Sequence, residues 1–212
     1  MRIIDDRYMQ HRRRLDLAWR LIQYEVRTRI ISTWAQLAPH RIRALYKSYA
    51  TQDQTSVKRR RGVSPYRLEI ILDSTRLRLE AAIFAGLCKS LDVLPETKLC
   101  EPERSLPSLD RGELLCDAYA WFRSEIPAAR LTLEQGLLVL NELALGEQVE
   151  LSECRSCGGV ILADQLSHSR FECAFCAQCD RRRDEGAGTQ TPLPADPCRA
   201  GEAQLGVFVH TS

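Results

Sequence analysis

Four of the nine cysteines stand in two Cys-x-x-Cys pairs toward the C-terminal end of the chain. The first pair is Cys154 and Cys157, and the second, after fifteen intervening residues, is Cys173 and Cys176. Each pair can turn two thiolates toward one point, and two pairs at this separation close a tetrahedral site with Zn–S bonds of about 2.3 Å. The spacing therefore predicts one structural Zn²⁺ per chain.

The other cysteines and the absence of catalytic motifs bear on whether this site is structural. Cys179 forms a further Cys-x-x-Cys with Cys176, which leaves open a shifted site with Cys179 in place of Cys173. A site closed by four thiolates has no position for a substrate or an activated water. The chain also lacks a nucleophile elbow, a phosphate-binding glycine loop and a His-Glu-x-x-His motif. We therefore predict that it is not an enzyme; a metalloenzyme would need an open coordination position or a catalytic Cys179.

Residues around the cysteine pairs suggest a small zinc-ribbon-like module. Gly158-Gly159 suits the tight turn after the first pair, and Val160-Ile-Leu162 and Phe171 are predicted to pair as short strands. His168 is predicted to be a loop residue. Three cysteines outside the module are predicted to fill the core between helices: Cys88, Cys100 and Cys116.

The first 146 residues are predicted to be mainly helical. Apolar residues recur at three- and four-residue steps from Arg7 to about Ser32, which predicts one long first helix. Three later helices are predicted from their start and stop signals: Ser64 to Ser90, Asp110 to Ile126, and Thr132 to Gly146.

A helix-turn-helix-like segment is predicted over residues 33–49, with two short helices separated at Pro39. Apolar side chains would fix the crossing of the helices, while the second helix presents Arg41, Arg43 and Lys47 to the major groove of DNA. An αα-hairpin with surface arginines has the same pattern, so this segment alone leaves DNA contact open.

Positive charge is concentrated at the N-terminal end of the chain. Residues 1–61 hold 15 Lys and Arg against 5 Asp and Glu, whereas residues 62–150 hold 9 against 15. The run Lys58, Arg59, Arg60 and Arg61 lies in a polar segment that we predict to be a basic loop. Such a loop raises the affinity for nucleic acid without reading sequence. A solvated basic face is the alternative interpretation.

These observations predict a mainly α fold with a small C-terminal four-cysteine module. We assign residues 1–148 to a helical domain that binds DNA and a partner, 149–183 to the zinc module, and 184–212 to a disordered tail. No stretch reaches the roughly 18 to 20 apolar residues that span a bilayer, and the start of the chain lacks the layout of a signal peptide. We therefore predict a cytoplasmic protein without disulfides.

The pattern resembles FlhC, the zinc-containing subunit family of the flagellar transcriptional activator. The resemblance covers roughly residues 10 to 178 and is carried by Gln36-Leu37, Arg41 and Leu45-Tyr46-Lys47, by Asp117-Ala-Tyr-Ala-Trp121, and by the cysteine pairs with their glycines. The segment from Ser64 to Glu69 lacks the Trp-containing segment of that family, and residues 179–212 match no part of it.

The resemblance implies a subunit that works with a smaller FlhD-like partner, in an assembly of two FlhC-type and four FlhD-type chains. That assembly binds flagellar promoter DNA and recruits RNA polymerase, and its zinc ligands match the four paired cysteines. The main alternative is a zinc-ribbon adaptor that binds protein or RNA without reading DNA sequence. Competition with random DNA separates the two functions, because a general polyanion binder has only the salt-dependent affinity that does not depend on DNA sequence.

Overall fold

The computed structural model describes residues 2–50, 60, 62, 67–165 and 172–177. Its helices in chain order are α1 (Arg2–Gln23), α2 (Thr28–Ala35), α3 (Pro39–Ala50), α4 (Glu69–Asp73), α5 (Thr75–Ser90), α6 (Pro102–Ser105), α7 (Leu109–Glu125) and α8 (Leu133–Leu145). Strands β1 (Val149–Glu153) and β2 (Val160–Asp164) form an antiparallel hairpin. The predicted mainly α fold with a small C-terminal four-cysteine module is confirmed.

The prediction of one long first helix is wrong, because α1 ends at Gln23 and a second helix begins at Thr28. Glu25 adopts a left-handed backbone with φ 57°. Its N–H donates to the Ile22 carbonyl at 2.9 Å, and the N–H of Val26 donates to the Leu21 carbonyl at 3.1 Å. This pair of bonds is a Schellman motif, which ends a helix even where the apolar periodicity continues. The buried Val26 therefore belongs to the turn and not to α1.

Helices α2 and α3 form the predicted helix-turn-helix-like pair, with Pro39 as the first residue of α3. Gln36 ends α2 in the left-handed conformation, and the Ser32 hydroxyl donates to the Leu37 carbonyl at 2.6 Å. Ile42 is fully buried against the core. The hydroxyl of Tyr46 donates to the Val26 carbonyl at 3.3 Å, so one face of α3 is anchored to the turn before α2.

Serine caps set two helix starts that the sequence prediction misplaced. Ser74 is extended and its hydroxyl accepts from the Leu77 N–H, so the helix predicted from Ser64 to Ser90 is split into α4 and α5. Ser108, not Asp110, caps α7 by accepting from the Arg111 N–H at 3.2 Å. The predicted start of α8 at Thr132 is confirmed, with a capping box between Thr132 and Gln135, as is the stop at Gly146, which has φ 68°.

An aromatic cluster joins α5 and α7 at the centre of the core. The rings of Phe84, Tyr119 and Phe122 pack edge to face or tilted, with centroids 5.7 to 6.0 Å apart. Helix α8 approaches this cluster at Gly136, where an added Cβ would lie 2.4 Å from the ring of Phe84. Glycine is required there because the ring occupies the space of a side chain.

The β-hairpin packs against α5 and carries the cysteine module. Val149 and Leu162 belong to the main hydrophobic core, and Arg78 Nε donates to the Leu162 carbonyl at 2.9 Å. Among the described residues β2, which contains the predicted strand Val160-Ile-Leu162, pairs with β1 in a register that sets Leu151 opposite Leu162. Phe171 lies outside the described residues.

Candidate metal centre and basic surface

The structure brings together the four cysteines that the spacing predicted. The sulfur atoms of Cys154, Cys157, Cys173 and Cys176 all lie within 4.8 Å of one another. The Sγ atoms of Cys157 and Cys173 are 3.7 Å apart. Four sulfurs about 2.3 Å from a central ion are about 3.8 Å apart at the edges of the tetrahedron. The four thiols are therefore positioned to hold one metal ion.

Local backbone bonds shape the two halves of the site. After β1, the Gly158 N–H donates to the Cys154 carbonyl at 2.8 Å, and the Cys154 N–H donates to the Gly159 carbonyl at 2.8 Å. Gly158 has φ 69°, a conformation that favours glycine, so the predicted tight turn is confirmed. On the other side, the Cys173 N–H donates to Cys154 Sγ at 3.2 Å and joins the halves.

Hydrogen bonds to sulfur divide the protons unevenly among the four groups. Desolvation works against the Cys154 thiolate, but backbone N–H groups of Cys173, Cys157 and Ser156 favour it, and together they lower the pKa of Cys154 to about 6. Burial, followed by hydrogen bonds of the Cys176 thiol with the other three sulfurs, raises the pKa of Cys176 well above its usual range. A bound dication favours all four thiolates, so metal binding displaces protons from this cluster.

The metal cluster is a small core of its own. Cys154 and Cys176 are buried with Ile161, whereas Cys157 is exposed. Three apolar neighbours are too few to hold a loop module by burial alone, so a metal ion is the expected source of its stability. Cys179 and His168 lie outside the described residues.

The three cysteines predicted to fill the core have different outcomes. Cys88 and Cys116 are completely buried, as predicted. Desolvation raises the pKa of Cys116 to about 12, which makes its thiol inert. The prediction for Cys100 is wrong, because it is exposed in the connection before α6, a segment with too few apolar contacts to cover it.

Comparisons with known proteins add no family to this geometry. No protein-family model matches the chain. A search of curated proteins also found no significant match. Among the described residues, none of the helices combines the length and the apolar character that a membrane crossing requires.

The three basic residues predicted on the second helix all project from α3 toward solvent. Arg41, Arg43 and Lys47 are exposed, whereas Ile42 between the arginines is buried. At about 100° per residue, Arg41 and Arg43 leave the helix about 160° apart, with Ala44 and Lys47 between them on the exposed arc. The two arginines therefore occupy opposite edges of one surface.

The predicted basic loop is described at one position. Arg60 is exposed and its guanidinium pairs with the Glu25 carboxylate at 3.0 Å. The other residues of the run lie outside the described residues: Lys58, Arg59 and Arg61.

Part of the N-terminal positive charge is neutralised within the fold. Arg13 of α1 pairs with Asp110 and Glu113 of α7, each at 2.6 Å, and Arg20 pairs with Asp117 at 2.5 Å. The hydrogen bonds that Arg13 donates to Glu113 and then to Asp110 raise its pKa above the already high usual value. The opposite charges of residues 1–61 and 62–150 therefore also help to hold α1 against α7.

Sequence reasoning missed two buried carboxylates that fix loops. Glu80 accepts from Arg76 Nε and from the backbone N–H groups of Arg130 and Leu131, each at 2.8 Å. Glu134 accepts from Arg27. Both lie on helices whose pattern allows a solvated glutamate, so the sequence carried no signal for their burial.

Proposed function

We propose that this protein is a DNA-binding transcriptional regulator of the FlhC type, which reads DNA with α3 and uses a zinc-bound C-terminal module as a structural support. The observation that carries the proposal is the division of α3 into two faces. Ile42 and Tyr46 anchor the helix, and Arg41, Arg43 and Lys47 are left exposed on the other side. A short basic helix held by a second helix through a tight turn is the arrangement that enters a major groove.

The positions of the basic groups on α3 suggest that they contact different parts of the DNA. Lys47 lies about 40° from Arg43 on the exposed arc, and Arg41 and Arg43 lie at its edges, so a helix in the groove would direct the two arginines to different base pairs or to opposite strands. An arginine that reaches guanine O6 and N7 contributes about 1–3 kcal/mol of discrimination. We therefore expect the contributions of Arg41 and Arg43 to be independent and close to additive.

Zinc is the metal that this donor set suits best. Four thiolates in a closed cluster prefer Zn²⁺ or an iron–sulfur cluster, and paired Cys-x-x-Cys knuckles without a redox motif favour zinc. When bound, Zn²⁺ would supply cross-linking of the two knuckles and no open coordination position. Cys154, Cys157, Cys173 and Cys176 would hold one ion per chain, and Ile161 would cover it from the side of β2.

The partners belong to the same proposal. The resemblance to FlhC supports an FlhD-like helical subunit, promoter DNA of motility genes and RNA polymerase as partners, in the cytoplasm. Large apolar side chains that are more than half exposed support a need for another subunit: Tyr8, Met9, Ile70 and Trp121.

The test is selection of a binding site followed by competition. Full-length protein, alone and with a co-expressed FlhD-like chain, is used to select duplexes from a random pool, and a selected duplex is then challenged with random duplex. We expect preferential retention of the selected duplex. Arg41→Ala and Arg43→Ala should each reduce affinity mainly for the selected duplex, whereas Arg104→Ala, at an exposed site on α6, should not. Equal affinity for selected and random DNA would reject the proposal.

One observation favours the adaptor as a second candidate. Phe175, between the two cysteines of the second knuckle, is 61% exposed, and Val160 beside the module is 42% exposed. An exposed aromatic ring on a metal knuckle can stack on an unpaired base or fill a pocket of a partner protein. Loss of binding in Phe175→Ala, with Arg41→Ala and Arg43→Ala unchanged, would favour this candidate.

A further inference from the structure

The basic residues of α1 fall into two groups with different surroundings. On one side, Arg13 and Arg20 are matched by carboxylates of α7, and Arg12 lies 3.8 Å from Asp16 on its own helix. On the other side stand Arg7, His11 and Arg14. Within the described part of the chain, no carboxylate is paired with these three residues.

Helical geometry places this second group on the face of α1 that, further along the helix, packs into the core. Positions 7, 11, 14, 18 and 22 lie within about 80° of one another around the helix. Ala18 and Ile22 are buried, whereas Arg7 is exposed and His11 and Arg14 are half-buried. The same face is therefore apolar over the C-terminal half of α1 and basic over its N-terminal half.

The basic half of this face meets α3. His11 Nε2 lies 3.4 Å from Arg41 Nη1. A guanidinium has only donors, so Arg41 is the donor in a hydrogen bond between these two groups. One turn further along α1, Arg14 Nε is buried and has no acceptor among the described residues. Buried donors without acceptors are uncommon in native proteins, and this side chain thus differs from Arg13 and Arg20, which are matched by carboxylates.

We propose that Arg7, His11 and Arg14, beside Arg41, form one binding surface for the phosphodiester backbone of the DNA that α3 enters. This inference rests on the proposed function and extends it from α3 to a second helix. The row from Arg7 to Arg14 spans about 10 Å along α1 at 1.5 Å per residue. Duplex DNA carries one negative charge per about 1.7 Å of its axis, so a row of that length faces several phosphates.

Arg41 links this surface to α3. It is exposed on α3 and contacts α1 through His11, so the DNA backbone at the edge of the groove that Arg41 enters continues over the N-terminal half of α1. Phosphate contacts of this kind fix the orientation of a reading helix without carrying sequence information. The surface would therefore set how α3 enters the groove, while Arg41, Arg43 and Lys47 remain toward the bases.

The test compares two arginines on different sides of the same helix. Arg7→Gln and Arg12→Gln remove the same charge from exposed positions about 140° apart on α1. Binding of the full-length protein to a fluorescent random duplex and to a selected duplex is measured by anisotropy between about 50 and 200 mM salt. Arg7→Lys serves as the charge-preserving control, and circular dichroism checks the fold of each variant.

For Arg7→Gln we expect affinity to fall about fivefold at 0.15 M salt on both duplexes, with the log–log salt slope less steep by about 0.9, as loss of one phosphate contact gives. Arg12→Gln should leave the slope unchanged, and Arg7→Lys should retain it. Equal effects of Arg7→Gln and Arg12→Gln, in protein that binds DNA, would overturn this surface alone. A wild-type protein that binds neither duplex would overturn the proposed function as well. Tighter binding to duplex RNA of the same sequence would overturn the assignment to DNA.

Discussion

Glu134, in the first turn of α8, accepts a hydrogen bond of 2.6 Å from the backbone N–H of Arg27 and pairs with the Arg27 guanidinium. Arg27 is the residue before α2, and its own side chain makes no cap to that helix. The carboxylate is 4% exposed, so the start of the helix-turn-helix-like pair is held by a buried charge from a distant element. This bond sets where α2, and therefore α3, stands on the core.

Breaking this pair is expected to destabilise the whole fold. Glu134→Ala leaves the Arg27 guanidinium without its partner in a half-buried position, and such losses cost about 3–5 kcal/mol. Glu134→Gln should cost less, because the amide oxygen can still accept from the backbone N–H. Urea unfolding followed by circular dichroism measures both. Equal stability of Glu134→Ala and wild type would show that the pair does not hold α2.

Removal of a metal ligand is expected to unfold the C-terminal module and leave the helical core intact. Cys154→Ser and Cys173→Ser each remove one of four thiolates, and binding free energy at such sites, on the order of 10 kcal/mol, is folding free energy. We expect about one zinc per wild-type chain by elemental analysis and loss of zinc in both variants. Well-folded wild-type protein without zinc would contradict this.

Cys179→Ser is the matched control for the metal site. It removes a thiol from the overlapping Cys-x-x-Cys pair without touching the four clustered sulfurs. Zinc content should stay at the wild-type level. Loss of zinc in Cys179→Ser with retention in Cys173→Ser would indicate the shifted register.

What the sequence predicted well depends on local signals. Cys-x-x-Cys spacing specifies ligand pairs, the Thr132 capping box specifies a helix start, and Gly146 and Gly158 supply left-handed turns, each within a few residues. These helix ends and the four-cysteine cluster could therefore be predicted without knowledge of the fold. The helix-turn-helix-like pair could be predicted for the same reason, since Pro39 marks the start of α3.

What the sequence did not predict depends on contacts between distant residues. Glu25 terminates α1 in a left-handed backbone conformation, which glutamate does not favour. The hydrogen bonds that end the helix accompany the burial of Val26, which the local sequence does not show. The place of the hairpin against α5 depends on contacts such as that of Arg78 with the Leu162 carbonyl, between residues 84 positions apart. Pairing of Arg13 and Arg20 with α7 likewise joins residues more than ninety positions apart.

Asp92→Gly is expected to stabilise the protein. Asp92 follows α5 with φ 56° in a second Schellman motif, in which the Val93 N–H donates to the Cys88 carbonyl at 2.9 Å. A left-handed non-glycine residue costs about 1–2 kcal/mol, and the greater freedom of glycine in the unfolded chain offsets about 0.5–1 kcal/mol. We expect a net gain of up to about 1 kcal/mol in urea unfolding. Asp92→Ala keeps the strain and should give no gain; a gain as large as that of glycine would rule out the backbone explanation.

Glu142→Gln is expected to stabilise the protein at neutral pH but not at acidic pH. Burial, and then the nearby Glu147, Glu103 and Glu69, raise the pKa of the Glu142 carboxyl, and its Oε2 has no partner among the described residues. A pKa raised in the folded state means that the folded protein disfavours the charged form. Wild-type stability from this group is thus greatest where the carboxyl is protonated, and it falls as pH rises through the pKa.

The measurement is the urea midpoint of both proteins across a pH series. Glutamine cannot ionise, so the midpoint of the variant should exceed that of the wild type at pH 7.5, and the difference should shrink as pH falls through the raised pKa of Glu142. Glu96→Gln, at an exposed site in the connection after α5, removes the same charge and should give no such pH-dependent difference. A difference that grows on acidification would mean that the folded protein stabilises the ionised carboxylate, so that the pKa of Glu142 is lowered and not raised in the fold.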